Sequence, residues 1–483
     1  MELQEKKIYL DYNATTPLAP EVIHCVSEAL ANAWANPSSS TEIGRSAKEL
    51  INQARKKVAT MLNAKPTDII FVSGGTEGNN VVLHTALKYF NSGSGKLGQG
   101  ALLKPHIITT NVEHDAILLP LKHYEAEQLA DVDFVPVSMS SGQILIEEIE
   151  KLIKPNTCLV TVMLANNETG VIMPVAEISR KIRILNEIRQ KEGLCRILLH
   201  TDAAQAIGKI SVDVEELGVD YLTIVGHKFY GPRVGALFVR EMAEDSTPLY
   251  PMFFGGGQER GLRPGTENTP MIHGLGCAAE LVSQNLEKYH ETMKKMRDLL
   301  EKSLIVEFGE NIIVNCDTAM RLPNTSSVSF RGTGMSGGEI LSRCPRLMAS
   351  TGAACHGTGK PSAILMASGV SCEDARSAVR LSLGRDTTPS EIDQIVQMLK
   401  LALKRTSVRT IIFTRIILNY HFVMNFCNKL STTIYYLDGV QETGDYCSPR
   451  YFHFYKLRMD GIRHRWRSAN KTDNGVNITF ING

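Results

Sequence analysis

The sequence has no closely spaced cysteines. Its ten cysteines include no C-x-x-C pair, and the two nearest neighbours, Cys344 and Cys355, are eleven positions apart. Structural zinc, iron–sulfur and thioredoxin-like sites need closer pairs, so these classes have no support and no metal is expected. Cysteines scattered through a long chain are typical of proteins from a reducing compartment.

A dominant charge and a long apolar run are also lacking. The formal net charge is +1, with a net −5 before residue 405 and a net +6 from 405 to 483. The mildly acidic main body does not indicate a nucleic-acid surface. Segment 410–426 is apolar, but Arg415 interrupts it and it is too short and too polar to span a membrane.

The first residues give no sign of a targeting segment. Residues 1–7 are charged and include Glu2 and Glu5, and the first predicted strand begins at Ile8. These features leave no room for a signal peptide and argue against a transit peptide. We therefore expect a cytoplasmic protein that binds neither nucleic acid nor membrane.

Strand and helix patterns alternate through the first part of the chain. Predicted strands are 68–73, 106–110, 132–137, 158–163, 196–201, 221–225 and 235–239. Predicted helices are 20–34, 45–62, 77–90, 115–127, 145–153 and 175–191, and the Gly/Ser-rich segment 91–100 is expected to be a loop. The alternation predicts an α/β fold with a mainly parallel central sheet flanked by helices.

A chain of 483 residues is too long for one core, so two or three domains are expected. We assign residues 20–287 to a large domain, and 1–19 with 288–404 to a smaller α+β domain that has a strand at 326–330 and a helix at 390–403. Residues 405–483 form a basic, aromatic tail without clear periodicity, and the pattern leaves its folding open. Its charge would suit nucleic acid or a membrane surface, but unselected sequence from an alternative or misjoined exon explains it more simply.

The stretch 221–232 (YLTIVGHKFYGP) places Lys228 just after a predicted buried strand. Desolvation lowers the pKa of an amine, and a neutral amine can form a Schiff base with an aldehyde. A lysine on a surface loop is the ordinary alternative. The other polar residues that follow predicted strands favour the reactive interpretation.

Three further strand ends carry groups that suit one cofactor. Residues 73–77 (SGGTE) resemble a phosphate cup at a helix N-terminus, although a capped Gly-Gly turn would look the same. Asp202 could hold a protonated pyridine nitrogen or merely cap a helix, and His114 could lie over a planar ring or be structural. With Lys228 these groups are what pyridoxal phosphate requires.

Eight segments in order resemble the class V aminotransferase family, over roughly residues 7–404. They are 10–17 (LDYNATTP), 73–77 (SGGTE), 113–114 (EH), 165–170 (ANNETG), 200–205 (HTDAAQ), 226–232 (GHKFYGP), 263–268 (RPGTEN) and 380–385 (RLSLGR). The resemblance is strongest to the branch of cysteine desulfurases and selenocysteine lyase. It implies a homodimer of the pyridoxal-phosphate-dependent transferase fold type I.

The resemblance also implies a role for each matching residue. Lys228 would bind the cofactor covalently, with His114 on the ring, Asp202 at its nitrogen and Gln205 at its oxygen. The phosphate would be held by Gly75, Thr76 and His227, together with Thr266 of the partner subunit. Asn167, Arg380 and Asn13 would bind the substrate, and an arginine suits a carboxylate because its planar fork donates two parallel hydrogen bonds. Many relatives have serine where Val225 stands, so one phosphate hydroxyl is expected to be missing.

Cys355 lies in a segment of small residues, 349–359 (ASTGAACHGTG). Such a loop can carry a thiol over a distance, and neighbouring His356 could favour the thiolate. The family carries its catalytic cysteine here, so the resemblance makes Cys355 a catalytic residue with Lys228 and His114.

Three features resemble selenocysteine lyase more than cysteine desulfurase. They are Asp115 after His114, the segment 258–260 (QER), and the insertion at 91–100. Cysteine desulfurases commonly carry lysine at the position of Asp115. A selenol ionises at a lower pH than a thiol, whose pKa is about 8.5, so a site without a thiol-activating cation would favour the selenol. The expected substrate is L-selenocysteine, with Asp115 setting specificity, and a selenide acceptor such as selenophosphate synthetase is the expected partner. L-cysteine, or a non-catalytic scaffold that binds the cofactor, is the alternative.

Overall fold

The structure, a computed structural model, describes residues 7–94, 103–352 and 361–404, and three short strands between 434 and 470. Strands before residue 404 are β1 (Ile8–Tyr9), β2 (Ile69–Val72), β3 (His106–Thr110), β4 (Asp131–Val135), β5 (Thr157–Thr161), β6 (Leu198–Asp202), β7 (Tyr221–Val225), β8 (Gly235–Val239), β9 (Ile312–Val314), β10 (Thr325–Phe330), β11 (Leu347–Met348) and β12 (Ala378–Ser382). Helices are α1 (Pro20–Asn32), α2 (Glu42–Met61), α3 (Gly75–Tyr89), α4 (Asp115–Ala126), α5 (Ile146–Leu152), α6 (Val175–Lys191), α7 (Val214–Leu217), α8 (Thr269–Phe308), α9 (Gly337–Ser342), α10 (Ala363–Ala367), α11 (Cys372–Arg376) and α12 (389–404).

A seven-stranded sheet has the spatial order β2-β8-β7-β6-β5-β3-β4. The strands from β7 to β4 pair in parallel, which confirms the predicted fold class, whereas β8 runs antiparallel to both of its neighbours. The antiparallel direction of β8 was not predicted. It follows from the short connection after β7, because a parallel crossover needs a dozen or more residues.

Helices cover both faces of this sheet. All residues of β5, β6 and β7 are buried, as expected for parallel strands covered on two sides. One hydrophobic core packs α1, α2, α6 and the start of α8 on one face, and a second packs α3 and α4 on the other. The sheet is therefore rigid, and the ends of its strands are fixed positions for functional groups.

A smaller antiparallel sheet, β9-β10-β12, has a core of its own. It packs against the C-terminal half of α8 and against α12, through residues such as Leu300, Leu304, Ile395 and Leu399. Strand β1 pairs with β11 in a separate two-stranded sheet. The residues that follow β1 then hydrogen-bond to the turn after β7. The proposed division between residues 20–287 and the remainder stays a prediction.

Some predicted bounds were wrong. Helix α2 begins at Glu42 rather than residue 45, because the Thr41 hydroxyl accepts a hydrogen bond from Gly44 N (3.3 Å) and caps it. Residues 91–94 continue α3 as a π-helical turn, which contradicts the loop predicted there, and residues 95–100 of that loop lie outside the described residues.

Residues from Lys404 onward form a separate unit. It contains three strands, β13 (Ile434–Tyr436), β14 (Tyr451–Leu457) and β15 (Arg467–Asn470), which pair antiparallel in the order β13-β14-β15. These strands were not predicted, and the apolar segment 410–426 lies outside the described residues. Within the described part of the chain, no helix combines the length and the apolar character needed to cross a membrane.

Candidate active site

A cleft of about 230 Å³ opens where β5, β6 and β7 end. The residues lining it are Gly75, Thr76, Asn79, His114, Ala116, Met163, Ala165, Asn167, Asp202, Ala204, Gln205, Val225, His227 and Lys228. Eight of the predicted site residues are thus brought together. Their side chains follow the ends of different strands, and the carboxyl ends of parallel strands are where α/β sheets bind ligands.

Lys228 is held by the turn that follows β7. The turn is tight because a Cβ on Gly226 would come within 2.5 Å of Pro232 O, so glycine is needed there. The Lys228 Nζ donates to Asn13 O (2.7 Å) and Ala14 O (2.9 Å). Burial, then the charge of Arg380, lowers the pKa of Lys228 to about 8, against the opposing effects of Asp202 and Asp11. About a tenth of the amine is therefore neutral at pH 7.

Asp202, the last residue of β6, accepts a hydrogen bond on each carboxylate oxygen. Asn79 Nδ2 donates to Oδ2 (2.7 Å), and Ala204 N donates to Oδ1 (2.9 Å). Both bonds favour the anionic form. Burial raises the pKa of neighbouring Glu113 to about 8, although Met163 N and Thr110 Oγ1 donate to it. At neutral pH Glu113 is therefore mostly protonated.

His114 caps helix α4. Its Nδ1 accepts a hydrogen bond from Ala116 N (3.1 Å), so the ring carries its proton on Nε2 in this arrangement. Asp115 follows as the first helical residue and is half-buried, but it does not line the cleft.

The N-terminus of α3 meets the sheet closely beside the cleft. A Cβ on Gly75 would lie 2.6 Å from Val225 Cγ2, so glycine allows this approach. Thr76 lies in the first turn, where free backbone N–H groups favour an anion. His227 hydrogen-bonds Thr15 Oγ1 through Nδ1 (3.1 Å), and burial, then Lys228 and Arg233, lowers its pKa to about 4, so it is neutral at pH 7.

Arg380 lies beside Asn167 at the other end of the site. Its Nη1 donates to Asn167 O (2.9 Å), and its Nη2 donates to Asp11 Oδ1 (2.6 Å). Among the residues that the structure describes, the buried Arg380 Nε and Asn167 Oδ1 atoms have no hydrogen-bond partner. Buried polar atoms are rarely left unpaired, so both atoms suit a ligand.

Asn13 joins the two ends of the site. Its backbone oxygen also accepts from Gln205 Nε2 (3.0 Å), and its side-chain oxygen accepts from Lys209 Nζ (3.1 Å). Its Nδ2 donates to Thr325 Oγ1 (2.9 Å) and to Asn167 O (3.3 Å). The predicted substrate residue Asn13 is therefore a buried connector between groups of the site.

Four predicted site residues do not line the cleft, namely Asn13, Asp115, Arg380 and Thr266. Thr266 is exposed and does not line it. Cys355 and His356 lie outside the described residues. On either side of that segment, Ser362 Oγ donates to Glu168 Oε2 (2.5 Å), and a Cβ on Gly352 would come within 2.5 Å of the same oxygen. Gly352 and Ser362 therefore both lie close to Glu168, which follows Asn167 in the sequence.

Sequence reasoning missed Asn79, Asp11 and Lys209. Asn79 follows the predicted phosphate cup by one helical turn, a spacing that could have suggested it. Lys209 lies four residues after Gln205, which is a weaker signal. Asp11 lies in segment 10–17, but its contact with Arg380 joins residues 369 positions apart, so local pattern did not indicate it.

The residues of the cleft fit pyridoxal phosphate. Lys228 supplies an amine with a lowered pKa, Asp202 a fixed anion, and the start of α3 an anion-binding helix terminus. Gln205 can reach a ring oxygen through its amide, since it lines the same cleft. These groups could hold the aldehyde, the pyridine nitrogen, the phosphate and the phenolic oxygen.

Comparisons with known proteins agree with this site. Residues 8–395 match the family described as "Aminotransferase class-V". The selenocysteine lyase of Bos taurus is 56% identical over 415 residues, which are 83% of this chain and 94% of that protein. A cysteine desulfurase of Nostoc sp. is 38% identical over 396 residues, covering 81% of this chain and 92% of that protein. A solved NifS-like protein is 33% identical with a TM-score of 0.72, over 83% of this chain and all of the other.

Proposed function

Because the chain belongs to the class V aminotransferase family, we propose that it is a selenocysteine lyase. Pyridoxal 5′-phosphate is its cofactor. In the proposed reaction the Cβ–Se bond of L-selenocysteine breaks while a reductant supplies two electrons and two protons. The products are L-alanine and selenide.

The observation that carries the choice of substrate is the difference in identity between two groups of relatives. Selenocysteine lyases are 54–56% identical to the chain, whereas cysteine desulfurases are 38% identical over a similar span. The cleft supports the reaction class, since it combines an amine, a fixed anion and an arginine beside one cavity.

Lys228 is proposed to bind the cofactor and to move the α-proton of the substrate. When bound, the cofactor withdraws electrons from the α-carbon of the substrate. A base is most effective when its pKa lies near the working pH, and the pKa of Lys228 is lowered to about 8. Asp202, fixed by Asn79 and Ala204, would hold the protonated pyridine nitrogen, and the His114 ring, which lines the same cleft, would contact the cofactor ring.

Arg380 and Asn167 are proposed to bind the substrate carboxylate. Arg380 offers a planar guanidinium whose Nε has no partner among the described residues and can donate to that carboxylate. Asn167 can donate to it through its amide nitrogen. Cys355 is proposed to take the selenium or to protonate it as the Cβ–Se bond breaks. Support for Cys355 comes from its position in the sequence.

The second candidate is a cysteine desulfurase, which the 38% identical relatives favour. Asp115 is proposed to discriminate between the two substrates, because a carboxylate at the start of α4 lowers the local positive potential that would help a thiol ionise. A non-catalytic scaffold is the remaining alternative, and any release of selenide by the pure protein excludes it.

The deciding experiment compares kcat/KM for L-selenocysteine and L-cysteine at one pH with the same reductant. We expect a preference for L-selenocysteine of at least about a hundredfold, equivalent to about 2.7 kcal/mol. Asp115→Lys should reduce this preference by raising kcat/KM for L-cysteine. Asp131→Lys, which changes an exposed carboxylate, is the control. Equal values for the two amino acids in the unmodified protein would refute the selenium assignment.

The proposal includes a cytoplasmic homodimer that passes selenide to an acceptor protein. In that dimer Thr266 of the partner subunit would complete the phosphate site. Light scattering measures the oligomeric state, and Thr266→Ala should weaken cofactor binding only if the dimer forms.

A further inference from the structure

Lys209 is a buried amine to which the proposed reaction gives no task. The residue is only 4% exposed and does not line the cleft. Its Nζ donates to Gln205 Oε1 (2.8 Å) and to Asn13 Oδ1 (3.1 Å). We propose that Lys209 is a positioning residue that fixes which end of the Gln205 and Asn13 amides faces the site.

The argument begins with the chemistry of an amide. Its oxygen accepts hydrogen bonds and its nitrogen donates them, yet the two ends have nearly the same shape. An ammonium group only donates, so Gln205 must turn its oxygen toward Lys209. The Gln205 Nε2 is then the end left for other partners, and here it donates to Asn13 O (3.0 Å). Gln205 would therefore meet a cofactor oxygen as a donor.

Asn13 is oriented in the same way. Its Oδ1 accepts from both Lys209 and Asn324 Nδ2 (3.0 Å), so its own Nδ2 must point elsewhere. That nitrogen donates to Asn167 O, the same oxygen that accepts from Arg380. One lysine thus supports the ring-oxygen contact through Gln205 and the carboxylate site through Asn13.

The two hydrogen bonds that Lys209 donates do not require the amine to be charged. Burial, followed by the charges of Lys228 and Arg380, holds the pKa of Lys209 well below its usual value. A neutral amine still carries two N–H groups, which match the two amide oxygens it contacts. Methionine has a similar length but no donor, so it would leave both oxygens buried and unpaired.

The inference rests on the proposed function only in taking the cleft as the cofactor and substrate site. Its test is therefore the equilibrium dissociation constant of pyridoxal phosphate and the pH midpoint of the bound cofactor's visible absorbance. Both can be measured on a protein that shows no lyase activity. Failure of the proposed substrate would leave these readouts unchanged.

Lys209→Met should weaken cofactor binding about tenfold and shift the pH midpoint, since the donor that orients both amides is lost. It should also raise KM more than it lowers kcat. Lys209→Arg, which keeps a donor-only group, should remain within about threefold of the unmodified protein. Lys65→Met, at an exposed lysine, is the matched control.

Gln205→Glu tests the amide orientation even if Lys209→Met fails to fold. The carboxylate can keep its contact with Lys209, so thermal stability should hold, but the cleft then receives an acceptor in place of a donor. Cofactor affinity should fall about tenfold or more. Unchanged cofactor affinity in Gln205→Glu, or in a folded Lys209→Met protein, would overturn the inference. Equal losses of cofactor affinity in Lys209→Met and Lys209→Arg would also overturn the inference, because they would mean that Lys209 contributes through packing rather than through its hydrogen bonds.

Discussion

Two lysines share Asn13 as a hydrogen-bond partner but differ in what they can reach. Lys228 donates to the backbone oxygen of Asn13, and Lys209 donates to its side-chain oxygen. Burial lowers the pKa of both amines. Only Lys228 lines the cleft, where a ligand could meet it.

The difference shows that a lowered pKa does not by itself identify a reactive amine. Lys209 is the more deeply buried of the two, yet both of its described contacts are to amide oxygens of the protein. Lys228 is half-buried, and its described hydrogen bonds are to the carbonyl oxygens of Asn13 and Ala14, which a reacting amine can leave. Access to the cavity separates a nucleophile from a positioning group with the same chemistry.

The strongest test of this comparison removes each lysine in turn. Lys228→Ala should lower kcat at least about a thousandfold, because the base and the covalent attachment are both lost. Lys209→Ala should keep the attachment. Borohydride reduction of the loaded protein, followed by peptide mass spectrometry, locates the modified lysine. A cofactor adduct on Lys209, or turnover that persists in Lys228→Ala, would break the comparison.

The reactive lysine could be predicted from the sequence, whereas the positioning lysine could not. Lys228 follows a buried run of β-branched residues, and Asp202 and His114 follow similar runs, so local pattern placed them at one sheet edge. Lys209 depends on Asn13, which is 196 positions away, and no local pattern encodes that contact.

Contacts between distant residues also limit how much of the fold could be predicted from the sequence. The strands of the sheet followed from their apolar runs, and predicted strands 106–110, 221–225 and 235–239 have the observed bounds. The direction of β8 and the pairing of β1 with β11 depend on connection length and on contacts across the chain. Periodicity does not report either of these, and Cys355 still rests on its sequence position alone.

A smaller effect is expected from the anion that faces the reactive lysine. Asp202→Asn should lower kcat about a hundredfold, since a neutral amide cannot hold a proton on the pyridine nitrogen. Asn79→Ala should have a weaker effect in the same direction, because it removes one of two donors to that carboxylate. Steady-state kinetics of the loaded proteins measure both changes. A larger loss in Asn79→Ala than in Asp202→Asn would contradict the assigned roles.

The smallest expected effect is on the pH dependence of cofactor capture. Apoprotein captures the aldehyde through neutral Lys228, so the second-order rate constant should rise about tenfold per pH unit below pH 8 and level off above it, because the pKa is lowered to about 8. Substitutions in the Arg380–Asp11 ion pair should move the pH midpoint of capture in opposite directions.

Arg380→Gln removes a cation that disfavours protonated Lys228, so the midpoint should move to higher pH and capture at pH 7 should slow about two- to threefold. Asp11→Asn removes an anion that favours the protonated form, so the midpoint should move to lower pH and capture should speed up. Stopped-flow absorbance measures both rates. Shifts of the same sign would mean that the ion pair acts on Lys228 through its position rather than through its charges.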